Sequence, residues 1–203
     1  LLEENYRVLT IDLPGFGDSE TVESASITYY AEAVLAVIQE RKLDKVVLIG
    51  HSMGGYTALA LAALAPDLLA GLGLFHSHPY GDSPEKQASR YKQIQFVEKY
   101  GHQLYVKQLV PKLFPANYGK SRPFDLDKLI HRAARYQAEG IKGGLLANHE
   151  SSQCSAVHRL RADALPSAMP RSSKRRLVGS TAARIPRLRL ARLTLASCRR
   201  HIP

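Results

Sequence analysis

No run of about 18 apolar residues occurs anywhere in this 203-residue chain, so no segment reads as a membrane-spanning helix. The longest apolar stretch, around Ala58 to Ala65, is too short and too Ala-rich. Nothing near the start has the zones of a signal peptide. Cysteine is scarce: Cys154 and Cys198 make neither a C-x-x-C pair nor a disulfide framework. That scarcity points to a reducing, cytoplasmic compartment. Internal repeats are lacking, and so is an initiating methionine. Leu1 opens a segment that reads as the end of a helix, which predicts a missing N-terminus.

Acids are almost absent from one part of the chain. Residues 151–203 hold eleven Arg and one Lys against Asp163 alone, a charge of +11, whereas residues 1–150 hold 16 bases and 17 acids. All fifteen Tyr and Phe lie in those first 150 residues. The formal charge of +10 is therefore a property of the tail. Phosphate contacts to nucleic acid or an anionic membrane surface are the alternative role for that tail. It lacks the aromatic residues and the helical face that organise such a charge, so neither nucleic acid nor a membrane is the expected partner. Acids and aromatics vanish together at one point, which predicts a segment translated in a shifted reading frame. Translation of the locus in its other two frames tests this.

What is present in the first 150 residues is ordered. Arg7 to Leu13 is a β-rich apolar run closed by Pro14-Gly15 and reads as a buried strand. From Thr28 to Arg41 the apolar residues Tyr30, Val34, Leu35, Val37 and Ile38 fall at helical spacing. Lys45–Ile49 reads as a second buried strand, Met53–Leu64 as a helix buried on most sides, and Leu69–Phe75 as a third strand. Strands alternating with helices imply right-handed crossovers and a parallel sheet, an α/β fold. After Pro79 two helical stretches, to about Phe114 and from Asp125 to Ala147, read as an insertion over the sheet. The first starts at Ser83-Pro84-Glu85, with a capping residue ahead of a first-turn proline. Residues 148–203 read as an irregular basic tail.

Between the second strand and its helix stands Gly50-His51-Ser52-Met53-Gly54-Gly55. A serine hydroxyl is a weak nucleophile and needs a neighbouring base, usually a histidine oriented by a carboxylate. A sharp strand-to-helix turn presents the hydroxyl and holds its backbone under strain. Gly50 and Gly54 are the small residues such a turn needs where strand and helix approach. The Met53 amide at the helix start is the first donor available to a developing oxyanion. Phosphate-loop readings fail: Gly50 and Gly55 have the spacing, but Tyr56-Thr57 replaces Lys-Ser/Thr, and Glu20 occupies the third glycine of a dinucleotide fingerprint begun by Gly15 and Gly17.

Two motifs, Asp12-Leu13-Pro14-Gly15-Phe16-Gly17-Asp18-Ser19 and Gly50 to Gly55, stand in the order found in esterase-like members of the α/β-hydrolase superfamily. Residues 1–147 resemble that family. The resemblance implies a parallel sheet flanked by helices, with a partial core over 1–78 and a helical lid over 79–147. It implies Ser52 as nucleophile, the Met53 amide in the oxyanion hole, no cofactor, and a small ester-like substrate. It also implies that the fold is incomplete. The strand that relatives place between the first two strands precedes Leu1, and the acid and base of the triad come from strands after the lid. The isolated chain is accordingly expected to fold poorly.

Asp163 and His201 follow Ser52 in the family's order, without strands to carry them. Asp82, just past the third strand, stands where some relatives keep an alternative acid; a solvated helix-start residue is the competing reading. His76 and His78 flank Ser77 and suggest a metal pair without a third ligand, or else histidines at the mouth of the site. His51 reads as structural. Tyr91, Phe96, Tyr100 and Tyr105 line an acyl pocket or pack the lid on the sheet.

Overall fold

A computed structural model describes residues 6–22, 25–150 and 190–194. They form two compact units: 6–22 with 95–143 and the strand at 190–194, and 25–94 with 144–150.

In the second unit, α1 (Ile27–Glu40) starts at Ser26, whose hydroxyl accepts the Tyr29 amide at 3.0 Å. Ile27, Tyr30, Ala31, Val37 and Ile38 give it a buried stripe. It ends in a Schellman motif. Lys42 sits at φ 51° and donates to the Gln39 carbonyl, while the Leu43 amide reaches back to Ile38. Strand β2 (Val46–His51), helix α2 (Met53–Leu64) and strand β3 (Leu69–Phe75) follow, with β2 and β3 parallel. Every residue from Thr57 to Ala62 is buried, as expected of a helix apolar on all sides. Its alanines let α2 pack against α1 and both strands.

Strand β2, expected to be buried, is not fully so, and neither is β3. Val47 is 63%, Ile49 66% and Phe75 58% exposed. Val47 pairs with Gly71, Ile49 with Gly73 and His51 with Phe75. The row Val47–Ile49 stands open beside the two glycines, and on the other face Val46 and Leu48 are half-buried. The first strand also departs from expectation. Strand β1 (Val8–Ile11) pairs antiparallel with β4 (Leu190–Thr194), Val8 opposite Thr194 and Ile11 opposite Leu190. Among the described residues no ladder joins β1 to β2 or β3. The unpaired amides and carbonyls of β1 take the partner the chain supplies, a segment that carries only a short Arg/Leu alternation at 187–190 as its signal.

Helix α3 (Pro84–Tyr100) starts as expected at Ser83, whose carbonyl accepts the Gln87 amide at 2.9 Å. The long helical stretch breaks at Gly101, where φ is +85°, a conformation that side chains other than hydrogen rarely adopt. Helix α4 (His102–Leu109), a 3-10 turn (Val110–Leu113), α5 (Tyr118–Ser121) and α6 (Pro123–Ala133) complete the insertion. Helix α7 (Ala138–Glu150) runs past Ala147, the end expected from the helical pattern, up to the change of composition at residue 151. Pro14, Val97, Tyr105, Val106, Val110 and Ile141 are among the buried apolar side chains of the first unit.

The Asp12–Ser19 motif is a self-bonded loop in that unit. The Asp12 carboxylate accepts the Asp18 amide, and the Ser19 hydroxyl donates to the Asp12 carbonyl at 2.7 Å. Gly17, at φ 56°, leaves room for that carboxylate, and a side chain on Gly15 would lie 2.8 Å from the Gly140 backbone at the start of α7.

Candidate active site

Strand β2 ends and α2 begins with one residue between them. That residue, Ser52, is at φ 50° and ψ −117°, and such a backbone costs about 1–3 kcal/mol for a residue other than glycine. Two hydrogen bonds hold it: the Ser52 amide donates to the Phe75 carbonyl at 3.0 Å, and the Gly55 amide donates to the Ser52 carbonyl at 2.9 Å. The side chain is exposed and makes no capping bond. The Met53 amide lies in the first turn of α2, where N–H groups have no intrahelical acceptor, and no other backbone acceptor among the described residues takes it. An exposed serine hydroxyl and an amide without a backbone acceptor among the described residues thus come together at the carboxyl ends of two parallel strands.

The glycines divide the work differently from the sequence reading. A β-carbon on Gly50 would lie 2.6 Å from Gly54 C and Gly55 Cα, so strand and helix backbones leave no space there. Gly54, assigned the matching role, faces open space among the described residues. Its place is taken by Gly55, where a β-carbon would lie 2.5 Å from Ser77 Cβ. The close approach is thus between the helix start and the segment after β3, one residue further along. The Ser77 hydroxyl is buried there without a partner among the described residues.

Asp82 is buried, not solvated. It pairs with Arg90 and, at 3.3 Å, with Lys86. Burial acts to raise its pKa, but the hydrogen bond and charge of Arg90, with Lys86 behind them, hold the carboxyl below the usual carboxylate range. The carboxylate is thus committed to two cations. Burial and then the charge of Asp82 push the nearby Tyr56 hydroxyl up, with Arg90 opposing. Residues 82, 86 and 90 fall four apart at a helix start, a signal in plain view that the sequence reading left unused.

The histidines separate. His78 Nδ1 accepts the Tyr80 amide at 3.3 Å, which leaves Nε2 as the protonated nitrogen of the neutral ring, 3.4 Å from the Tyr56 hydroxyl. His76 has φ 48° and packs edge-on against Phe75 and His51 at 4.5 and 5.8 Å between ring centres. Among the described residues no three His, Cys, Asp or Glu side chains gather as a metal site. Of the lid aromatics, Tyr105 is buried and Phe96 lies 4.9 Å from Tyr100 and 6.4 Å from Tyr105. Phe96 thus packs against both rings, and Tyr100 stays exposed on its other side. Tyr91 is exposed. Asp163 and His201 lie outside the described residues.

The alpha/beta hydrolase fold family matches residues 1–103. A protein of Haemophilus influenzae that carries an esterase/lipase name is 45% identical over 76 residues, 37% of this chain and 26% of that protein. An sn-1-specific diacylglycerol lipase of Mus musculus is 31% identical over 138 residues, 64% of this chain and 44% of that one. A thermophilic esterase structure from Thermogutta terrifontis superposes with a TM-score of 0.64 at 29% identity, over 68% of this chain and 52% of that one. The chain spans about a quarter to a half of the length of these relatives. With the elbow, the parallel pair β2–β3 and the helical insertion in the same order, the chain belongs to the α/β-hydrolase fold family.

Proposed function

We propose that this chain carries the nucleophile of a serine hydrolase that cleaves an ester or related carbonyl bond through an acyl-serine intermediate. Ser52 Oγ attacks the carbonyl carbon, its proton passes to a histidine base, and the carbonyl oxygen takes the negative charge facing the Met53 amide. Collapse expels the alcohol, and water then releases the acid from Ser52. The observation that carries this reading is the strained Ser52 backbone at the β2–α2 junction. Positive φ alone is shared with Lys42 and His76; what supports the reading is its combination at Ser52 with ψ −117°, at a strand-to-helix junction that leaves the hydroxyl exposed and unbonded. The test is labelling by a fluorophosphonate probe, with Ser52→Ala losing the label. Small-molecule esters are the substrate class in this reading.

A second reading has its own observation. Asp82, the candidate acid within the described residues, is engaged by Arg90 and Lys86 and so is not free to orient a histidine. In that reading the chain keeps the elbow but not the means to activate it. Folded, soluble protein that takes no label at any pH supports the second reading over the first.

A further inference from the structure

The near-neutral charge of residues 1–150 conceals a division. Between Lys99 and Arg135 there are eight bases and two acids, Asp125 and Asp127, a charge of +6, all within the first unit. Both acids are already paired, Asp125 with Arg122 at 3.3 Å and Asp127 with His131 at 3.6 Å. No ion pair among the described residues engages Lys107, Lys112, Lys120, Lys128, Arg132 or Arg135.

Exposed apolar side chains lie in the same segment. On α6 the residues Leu126, Leu129, Ile130 and Ala133 form the stripe at helical spacing, and Leu126, Ile130 and Ala133 are half-buried. Phe124 is two residues from Leu126, about 200° around the helix, and is 79% exposed. Packing of α6 gives no reason for an aromatic there. Leu113, in the 3-10 turn that α6 contacts, is 68% exposed. The neighbours of Phe124 on its face of the helix are Asp127 and Lys128 one turn on and His131 two turns on. Large apolar side chains set among unpaired bases match the chemistry of a surface that lies on anionic lipid. The rings enter the headgroup boundary and the bases meet phosphate. No helix among the described residues is long and apolar enough to cross a membrane, so the contact is peripheral.

We propose that the helical segment from Lys99 to Arg135 docks on an anionic phospholipid surface, with Phe124 and Leu113 entering the headgroup layer and Lys112, Lys120, Lys128 and Arg132 facing the phosphates. Charge complementarity selects the occupant. A protein groove would need acids matched to each base, whereas a lipid surface supplies diffuse negative charge, which suits bases spread over several short helices.

The full-length chain contains no tryptophan, so Phe124→Trp provides a single reporter at an exposed position. Phosphatidylglycerol-containing vesicles are expected to shift its emission to the blue and to quench it when brominated lipids are used. Pure phosphatidylcholine vesicles are expected to do neither. Lys112→Glu with Lys120→Glu lowers partitioning by at least about 25-fold, at about fivefold per base, and Phe124→Ala lowers it about fivefold. Residues 151–203 carry +11 of their own, so sedimentation with vesicles alone does not decide the matter. Vesicle binding that leaves the emission of the Phe124→Trp variant unshifted overturns the proposal in favour of the tail. So does binding unchanged by the Lys112 and Lys120 replacements, or an equal shift with duplex DNA.

Discussion

Replacing Gly50 and Gly54 separately by alanine gives results of opposite sign, although the sequence motif treats the two glycines alike. At Gly50 the new methyl meets Gly54 C and Gly55 Cα at 2.6 Å, against an ordinary carbon contact of about 3.5 Å or more. The obstruction is backbone on both sides and no rotamer relieves it, so the start of α2 has to move by about 1 Å relative to β2. Overpacking of this kind costs about 1–3 kcal/mol, and the rigid partner places Gly50→Ala at the upper end, about 3 kcal/mol. Gly54 lies in α2, has no positive φ, and its β-carbon would meet nothing within 4 Å. The backbone term then dominates, and alanine in a helix gains about 0.5–1 kcal/mol over glycine. Urea denaturation followed by far-UV circular dichroism measures both, with probe labelling of Ser52 as a second readout. Gly50→Ala lowers the midpoint and loses the label, while Gly54→Ala raises or keeps the midpoint. Equal destabilisation by both would refute the assignment of the close contact to Gly50 and Gly55. A third variant, Gly55→Ala, is expected to follow Gly50→Ala and to recover in the double variant with Ser77→Gly, which clears the atoms it meets.

Ser52→Gly removes the positive-φ penalty and is expected to stabilise the chain by about 1 kcal/mol while abolishing probe labelling; a thermal shift assay reads the first and the label the second. Asp82→Asn leaves Arg90 facing a lost partner in a mostly buried site and is expected to cost about 3 kcal/mol at neutral pH. The Asp82 pKa is lower in the folded chain than in the unfolded one, so its contribution is fully present above pH about 4 and fades as pH falls below that. The loss of stability between wild type and Asp82→Asn should therefore shrink on acidification, and a difference that grows would refute the ion-pair account. Val47→Thr and Ile49→Thr, at positions 63% and 66% exposed, are expected to change stability by less than about 0.5 kcal/mol each and to raise solubility; a cost of about 2 kcal/mol or more would mean that this sheet face is covered in solution.

The legible parts of the sequence are those where one local cause suffices. The Ala/Leu run at 53–64 has no polar face, so it reads as a buried helix with the observed bounds. Leu69–Phe75 lies between the Pro66–Leu68 turn and the Ser77 segment and reads as a strand with the observed bounds. The turn at Ser52 follows from a strand meeting a helix without a linker. Two kinds of information were out of reach. Partner choice was one: nothing in Val8–Ile11 says that it will pair antiparallel with Leu190–Thr194, because an edge accepts any backbone that arrives. Cover was the other. Val47 and Ile49 have the composition of a two-sided buried strand, and only the three-dimensional arrangement shows one side open. Gly101 was missed for a simpler reason. A single glycine inside a helical pattern costs only about 1 kcal/mol and is often tolerated, and only its φ of +85° identifies it as a break.

The strain at Ser52 bears on which parts of a catalytic site can exist without the others. Everything that holds φ 50° at that residue lies within about 25 residues of it: the Phe75 carbonyl, the Gly55 amide, and the close contact of Gly50 with the helix start. The parallel pair β2–β3 and the helix that crosses between them are sufficient to impose it, and α1 packs behind that helix. Activation of the hydroxyl is a separate matter, since a base and its carboxylate must be brought from distant segments whose placement the elbow does not control. Presentation of the Ser52 hydroxyl is therefore a local property of this chain, and in the proposed mechanism its activation is a long-range one. The same division explains why Asp82 serves the fold. At a helix start with cations four and eight residues on, a carboxylate is drawn first to Lys86 and Arg90, and among the described residues no histidine pairs with it.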